Sequence, residues 1–258
     1  MGVEYGRAGL WGVLTPQANT TVEPELWALL PPGQSLINAR LVSTRPTIEE
    51  RLVDYTTRFE ETAKRFANAP VTCIAAACTG ASYLIGADRE AEIVGEMQSR
   101  FGVPFLTAAL ATVAALRAMK AKRIALLTPY PETLNKPCIP YWESFGFDVV
   151  AKAGPALESA AFHPIYAMAG SGVFASYQEL SDTEADAVLM LGTGMATLGP
   201  ILEGLDKGLK PAVSCNLALA WAAAQQNSWD SLREDSFGDW RKAIHWRQRY
   251  QALFPEQN

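Results

Sequence analysis

The feature that most constrains this chain is a regular alternation of short apolar runs with longer, helix-like segments. Short apolar runs bounded by turn residues are typical of buried strands. They occur at residues 10–14, 35–42, 71–77, 103–106, 123–127, 146–152, 185–191 and 210–215. Strands that alternate with helices predict parallel sheets covered by helices on both faces. The fold class predicted from the sequence is therefore α/β.

The strands divide evenly, with four before Lys120 and four after it. We predict two similar four-stranded parallel-sheet lobes, flavodoxin-like and related by a pseudo-twofold axis. Residues 1–116 and 211–258 would form lobe 1, and residues 117–210 would form lobe 2. A length of 258 residues suits two lobes of about 120 residues each. Ligands of open α/β sheets bind at the carboxyl ends of the strands, so we expect the active site in the cleft between the lobes.

Three helix predictions depend on local signals. A capping box at Thr47-x-x-Glu50 predicts a long helix that ends near Asn68. Pro137 and Pro140 are expected to shorten or kink the helix that ends near Phe145, because proline removes a helical hydrogen bond. A helix over residues 164–178 is expected to break near residues 170–172, where two glycines occur.

Two strand-end loops look like copies of each other. Cys-Thr-Gly-Ala-Ser at residues 78–82 follows one strand, and Gly-Thr-Gly-Met-Ala-Thr at residues 192–197 follows another. We expect a helix over residues 83–100 after the first loop. A helix amino terminus favours negative charge and leaves N–H groups free, so a thiolate is favoured there. Only the first copy carries a cysteine, which makes Cys78 the candidate catalytic residue.

Composition excludes several classes of partner. The net charge is −5 and no basic patch is present, which argues against nucleic acid. No apolar run approaches the roughly 20 residues that span a bilayer, so we expect no membrane partner. The amino terminus lacks the apolar core of a signal peptide, and we expect a cytoplasmic location.

The sequence gives no reason to invoke a cofactor or a metal. The four cysteines include no Cys-x-x-Cys pair and do not suggest a disulfide framework. The two histidines have no metal-ligand spacing, and the glycine-rich nucleotide motifs are missing. We expect no cofactor and no metal.

The tail from Ser228 to Asn258 is rich in tryptophan and arginine. We interpret it as a closing helix packed on the body of the protein. The alternative is a contact between copies of the chain, which would make the protein a homo-oligomer through this tail.

Five motifs resemble those of the arylmalonate decarboxylase and maleate cis–trans isomerase branch of the aspartate/glutamate racemase superfamily. They lie at Thr15–Glu23, Ala77–Gly80, Ala121–Tyr130, Leu191–Leu198 and Ser214–Asn216. Each motif alone is weak. All five occur in the right order on a duplicated α/β frame and together cover roughly residues 8 to 225, which makes the resemblance specific.

The resemblance implies a cofactor-free enzyme that forms and reprotonates a carbanion beside a carboxylate. Racemases and maleate isomerases of this kind place two cysteines across the substrate, one from each loop. Cys78 matches the first cysteine, and Gly192 stands where the second is expected. Arylmalonate decarboxylases keep one cysteine, in the second loop, with glycine in the first. This chain looks like the mirror case.

The resemblance also implies a set of donors for the substrate carboxylate. Thr79, Gly80, Tyr130, Thr193 and Gly194 match positions that form an oxyanion hole in relatives. Preorganised N–H and O–H donors stabilise the negative charge that develops during such a reaction. A thiol with a reference pKa of about 8.5 can give or take a proton near neutrality. With one thiol, proton delivery is expected from one side only.

The resulting prediction is a lyase that decarboxylates a small, substituted malonate-type diacid, with Cys78 as the proton donor. The first alternative is an isomerase or racemase of a small acid, of the maleate, amino-acid or hydantoin type, with a non-thiol group opposite Cys78. The second alternative is a non-catalytic protein that binds a small acid. In each case the expected partner is a small-molecule carboxylate.

Other polar residues at strand ends have competing interpretations. Asn19 is expected to contact the ligand, although an asparagine there can also shape the turn by bonding its own backbone. Tyr130 faces the substrate in our interpretation, or else it caps the core at its turn. Asn216 is a weaker candidate for the site.

The remaining candidates are expected to be structural. Arg40 and Arg45 flank one loop and could pair with a second carboxylate, but surface ion pairs are favoured. His163 is a possible general acid, with a loop histidine as the favoured interpretation. We expect buried structural roles for the other three cysteines, which are Cys73, Cys138 and Cys215.

Overall fold

The computed structural model describes residues 3–155 and 164–255. Its strands form two four-stranded sheets in which every pairing is parallel. Sheet 1 has the order β2-β1-β3-β4. Its strands are β1 (Gly9–Pro16), β2 (Gln34–Leu41), β3 (Cys73–Ala76) and β4 (Phe105–Thr107). Sheet 2 has the order β6-β5-β7-β8. Its strands are β5 (Arg123–Leu127), β6 (Asp148–Ala153), β7 (Ala187–Met190) and β8 (Ala212–Ser214). The predicted α/β class and the two similar sheets are confirmed.

Helices connect these strands throughout. In the first half of the chain they are α1 (Val22–Leu29), α2 (Ile48–Thr57), α3 (Phe59–Ala63), α4 (Thr79–Phe101) and α5 (Ala108–Ala118). In the second half they are α6 (Glu132–Ser144), α7 (Gly170–Ser181), α8 (Leu198–Asp206), α9 (Cys215–Gln225), α10 (Phe237–Arg241) and α11 (Arg247–Leu253). Strands β1, β3 and β7 are buried along their whole length, as expected of parallel strands covered on both faces.

The predicted lobe boundary at residue 210 does not match the sheets. β8 pairs with β7 through Val188 and Ala212, so this strand belongs to sheet 2 and not to lobe 1. The helix that follows, α9, crosses to the first half and packs against α5, β3 and β4. One buried apolar cluster includes residues of both halves, among them Trp11 and Leu189. The two sheets therefore share a continuous core.

Some helices differ from their sequence predictions. The capping box at Thr47 and Glu50 is present, but α2 ends at Thr57 and α3 follows after Arg58, so the long helix is divided. α6 runs through Pro137 and Pro140 without ending. The carbonyls that these prolines leave without an amide donor belong to Thr133 and Lys136, whose residues are exposed, so water can satisfy them.

The helix break expected near residues 170–172 is found just before residue 170. A short 3₁₀ helix occupies Pro164–Ala167, and α7 begins at Gly170. The tail forms two short helices, α10 and α11, and not one closing helix. It does pack on the body, with Phe237 and Trp246 buried and α11 against α1. A contact between copies through this tail stays a prediction. Among the described residues, no helix combines the length and apolar character needed to cross a membrane.

Candidate active site

One cavity lies where the carboxyl ends of β1, β3, β5 and β7 approach each other, and its volume is about 50 Å³. Both halves of the chain line it. Seven of the residues singled out from the sequence are among the lining residues, which include Asn19, Cys78, Thr79, Gly80, Tyr130, Thr193 and Gly194. The two strand-end loops therefore meet at one site, although the structure does not by itself assign a role to any of these residues.

Cys78 is the amino-terminal cap of α4. Its backbone is extended (φ −149°, ψ 106°), and α4 begins at the next residue, four residues earlier than expected. The thiol is buried, and the main-chain N–H groups of Gly80 and Ala81 donate toward it. Burial raises the pKa of the Cys78 thiol to about 11, and these two N–H groups oppose the rise. The expected preference for a thiolate is therefore outweighed, and Cys78 is a neutral thiol near pH 7.

Gly192, in the equivalent place of the second loop, has little room for a side chain. Its φ of +81° is in the left-handed region that favours glycine. A Cβ atom there would lie 3.0 Å from the Tyr130 hydroxyl and 3.0 Å from Cδ1 of Ile165. The ends of these two side chains would have to shift by a few tenths of an ångström to admit a second cysteine.

Tyr130 and Thr79 join the two halves of the site. The Tyr130 hydroxyl lies 3.2 Å from Oγ1 of Thr79. The main chain of Tyr130 is fixed by Thr128, whose Oγ1 accepts from its N–H, and by Asn135, whose Nδ2 donates to its carbonyl. Burial raises the pKa of Tyr130 well above its ordinary value, so the phenol is neutral and can donate a hydrogen bond.

Asn19 shapes its turn, as one interpretation expected, and also reaches across the site, while its contact with a ligand stays a prediction. Its Oδ1 accepts from the N–H groups of Thr21 (2.9 Å) and Val22 (3.0 Å), which shapes the turn before α1. Its Nδ2 donates to Oγ1 of Thr193 across the site (3.2 Å). The Thr193 hydroxyl in turn donates to the Ala77 carbonyl at 2.8 Å. Because that proton is already committed, the second loop would offer main-chain N–H groups to a ligand and not this hydroxyl.

A buried carboxylate fixes the second loop by hydrogen bonds. Glu25 of α1 accepts from the N–H groups of Thr197 (2.5 Å) and Leu198 (3.0 Å) at the start of α8. It also accepts from Nδ2 of Asn216 (2.7 Å), and that same Nδ2 donates to the Thr193 carbonyl (3.1 Å). Burial raises the pKa of Glu25, and its hydrogen bonds oppose the rise. Asn216 therefore supports the site and does not line it.

The sequence analysis missed the apolar wall of the cavity. Its additional lining residues are Pro16, Ile48, Leu52, Tyr55, Leu134, Ile165 and Tyr166. Ile48, Leu52 and Tyr55 have the i, i+4, i+7 spacing of one helix face, which is the signal that could have indicated them. Nothing in the local sequence indicates that Ile165 and Tyr166 fold over the Gly194 loop.

The remaining candidates lie elsewhere. Arg40 forms an ion pair with Glu23 and donates to the Asn19 carbonyl (2.8 Å), so it fixes the turn after β1. Arg45 does not line the cavity. The cysteines expected to be structural are all buried and free. His163 lies outside the described residues. Within the described ranges, no three metal-binding side chains are grouped where they could hold an ion.

Comparison with known proteins identifies the family. The family model described as arylmalonate decarboxylase matches residues 11–238. This chain belongs to that family. Among characterised relatives, the maleate isomerase of Nocardia farcinica is 29% identical over 204 residues, which are 76% of this chain and 80% of the relative. The maleate isomerase of Pseudomonas putida is 30% identical over 149 residues, or 54% of this chain and 60% of the relative.

Solved structures share the fold. The maleate isomerase Iso of Pseudomonas putida S16 matches with a TM-score of 0.76 at 23% identity, over 84% of this chain and 92% of that one. The Nocardia farcinica maleate cis–trans isomerase, in a mutant with a covalently bound succinylcysteine intermediate, gives 0.72 at 25% identity, over 84% and 92% of the two chains. A liganded double mutant of arylmalonate decarboxylase gives 0.71 at 21% identity, over 84% and 91%. The family thus contains both decarboxylases and isomerases.

Proposed function

We propose that this protein is a cofactor-independent carboxy-lyase that decarboxylates a small, substituted malonate-type diacid. The observation that carries the proposal is the site's asymmetry. Cys78 faces the cavity at a helix amino terminus, and Gly192 leaves no thiol in the equivalent place. A single acid on one face suits a reaction that needs one proton delivered once, whereas exchange between two faces requires two such groups.

The lining favours one held carboxylate and one carboxylate that leaves. Thr79 and Tyr130 provide hydroxyl and main-chain donors near the start of α4, where the helix dipole favours an anion. Apolar side chains, among them Leu52 and Leu134, also line the cavity. No lysine or arginine is among the described lining residues. A charged carboxylate against these apolar side chains is poorly solvated, whereas neutral CO₂ is not penalised there.

The proposed step conserves atoms and electrons. The bond between the α-carbon and the leaving carboxylate breaks, and CO₂ departs without the electron pair. That pair is delocalised into the retained carboxylate, which becomes an enediolate held by Thr79 and Tyr130. The S–H proton of Cys78 then passes to the α-carbon. The resulting thiolate accepts from the N–H groups of Gly80 and Ala81 until it takes a proton from water.

The protonation state of Cys78 supports this order of events. Because burial raises its pKa to about 11, the thiol carries its proton at neutral pH and is ready to act as an acid. The two N–H groups at the start of α4 stabilise the thiolate only once it forms.

Isomerisation of maleate is the second candidate, and it is favoured by the two curated relatives. In that reaction the sulfur of Cys78 would add to the double bond, the new single bond would rotate, and elimination would release the trans acid. Because Gly192 provides no second thiol, the Tyr130 hydroxyl would have to serve as the second acid of this reaction. Addition requires the thiolate, which the burial of Cys78 disfavours.

The test is proton NMR of the enzyme with phenylmalonate, methyl-phenylmalonate, maleate, aspartate and a hydantoin. Loss of CO₂ from a malonate, slowed by about 10³-fold in Cys78→Ala, is the expected result. Conversion of maleate to fumarate, or exchange at an α-carbon without loss of CO₂, would establish the isomerase or racemase instead. Thermal stabilisation by these acids without any turnover would establish a binding protein.

A further inference from the structure

A second cavity lies at the far end of α9 from the candidate active site. α9 begins beside Asn216, which holds the Thr193 loop, and ends at Gln225, which lines this second cavity. The two cavities share no lining residue. The second has a volume of about 530 Å³ and lies between the end of α1, the end of α9 and the tail. Cavities of several hundred Å³ are typical of small-molecule sites.

The charge of this cavity is one-sided. Arg233 and Arg249 line it, whereas none of its described lining residues is Asp or Glu. Arg249 donates to the main-chain carbonyls of Ala28 (2.7 Å) and His245 (3.3 Å). In the described part of the chain, neither arginine forms an ion pair with a carboxylate. Two guanidinium groups at one cavity without an anionic partner favour an anionic ligand.

The rest of the lining is aromatic and apolar. Trp221, Trp240 and Trp246 all contribute to the wall. The indole N–H of Trp221 donates to Ser236 Oγ and that of Trp246 to the Trp240 carbonyl, both at 2.8 Å. These two rings are almost fully buried, at 0% and 1% exposed, whereas Trp240 is partly exposed and offers hydrocarbon surface. Such surfaces stack on flat apolar groups.

We propose that this cavity binds a planar aromatic carboxylate, with Arg233 and Arg249 at the carboxylate and the partly exposed Trp240 ring, with Pro31 and Pro32, against the aromatic body. Guanidinium and carboxylate match in a paired, two-bond geometry, which favours a carboxylate over a spherical anion. Gln225 fixes the position of Arg233, because its Oε1 accepts from the Arg233 main-chain N–H at 2.7 Å. The site is independent of the reaction proposed for the first cavity.

Isothermal titration calorimetry with 2-naphthoate and its neutral analogue 2-naphthamide tests the proposal. We expect naphthoate to bind one site per chain, at least about tenfold more tightly than the amide, because hydrogen bonds to charged groups are the stronger ones. Arg233→Gln should weaken naphthoate binding by about tenfold. Arg241→Gln, a control on α10 that does not line the cavity, should bind as the wild type does. Thermal melts verify that the variants are folded.

The location of binding has its own readout. In ¹H–¹⁵N spectra, naphthoate should shift the indole N–H signals of Trp240 and Trp246 and leave that of Trp142 in place. The Trp142 ring meets that of Tyr83 edge to face, and the Tyr83 ring contacts that of Tyr130 in the first cavity. Equal affinity for acid and amide, unchanged binding in Arg233→Gln, or a shift confined to Trp142 would each overturn the proposal.

Discussion

The loops after β3 and β7 occupy matching places in the two sheets and carry the same Thr-Gly pair, but they leave their strands differently. After β3, Cys78 is extended and α4 begins at once, so a helix amino terminus faces the thiol. After β7, Gly192 has a positive φ and α8 begins only at Leu198. The amino terminus of α8 is instead occupied by the Glu25 carboxylate.

This difference shows how a duplicated frame becomes a one-sided site. The first loop combines a thiol with N–H groups that stabilise its anion. The second loop offers only main-chain groups, and the Tyr130 hydroxyl leaves little space for a side chain at residue 192. A thiol on one face alone is what a stereospecific proton donor requires. The predictions below test this asymmetry, from the largest expected effect to the smallest.

The largest expected effect is on turnover, when the thiol of the first loop is removed. Cys78→Ala is expected to lower kcat by about 10³-fold, within the range that a positioned general acid contributes. Cys73→Ala is the matched control, because Cys73 is a buried thiol at the start of the same strand, away from the cavity. Its kcat should stay within a few-fold of wild type in the same steady-state assay. Equal losses in both variants would mean that the effect is one of packing and not of chemistry.

Removing the support of the second loop should cost stability. Glu25→Ala leaves the buried donors of Thr197, Leu198 and Asn216 without their acceptor, and we expect the free energy of unfolding to fall by about 3 kcal/mol. Urea denaturation measures it. Glu23→Ala, on the same helix, breaks only a partly exposed ion pair with Arg40 and should cost less than about 1 kcal/mol. A similar cost for both would contradict the buried role of Glu25.

Forcing symmetry on the loops should also be unfavourable. Gly192→Cys combines a positive φ with contact between the new Cβ and Tyr130, and we expect a loss of about 2 kcal/mol. Gly208→Cys separates the two causes, because Gly208 has φ +66° and open space around its Cβ position. It should cost about 1 kcal/mol from backbone strain alone. Adding Tyr130→Phe to Gly192→Cys should recover part of the difference. No recovery would show that the hydroxyl is not what excludes a side chain there.

The smallest expected effect is in the pH profile. An acid with a pKa of about 11 keeps its proton up to that pH, so kcat/KM should change less than about twofold between pH 7 and 9 and fall only as the pH approaches 11. The same profile should be found with a poor and a good substrate. If the thiolate were the reactive form, kcat/KM would instead rise about tenfold per pH unit below the pKa, as addition to a double bond requires.

Much of the fold could be predicted from the sequence, because apolar runs and turn residues are local signals. β5 was placed at its observed bounds, residues 123–127, and the other strands within a few residues. The two similar strand-end loops, together with the family resemblance, also predicted that Cys78, Thr79 and Thr193 would meet. The topology of a parallel sheet brings such ends together whatever the details of the loops.

What could not be predicted depends on contacts between distant parts of the chain. The assignment of β8 to sheet 2 follows from its pairing with β7, which no local pattern specifies. The commitment of the Thr193 hydroxyl to Ala77, and the burial that raises the pKa of Cys78, arise from packing between the two halves. The helical sequence pattern continues without interruption through Arg58, so it does not indicate that α2 and α3 are separate helices.

The most direct test of one-sided protonation by Cys78 is the turnover of a prochiral aryl(methyl)malonate in D₂O, with the product analysed by NMR and by chiral chromatography. We predict that CO₂ is lost and that the product carries one deuterium at the α-carbon as a single enantiomer. The residual product of Cys78→Ala should be racemic. A racemic product from the wild-type enzyme, or a single enantiomer that persists in Cys78→Ala, would contradict the assignment of Cys78 as the proton donor.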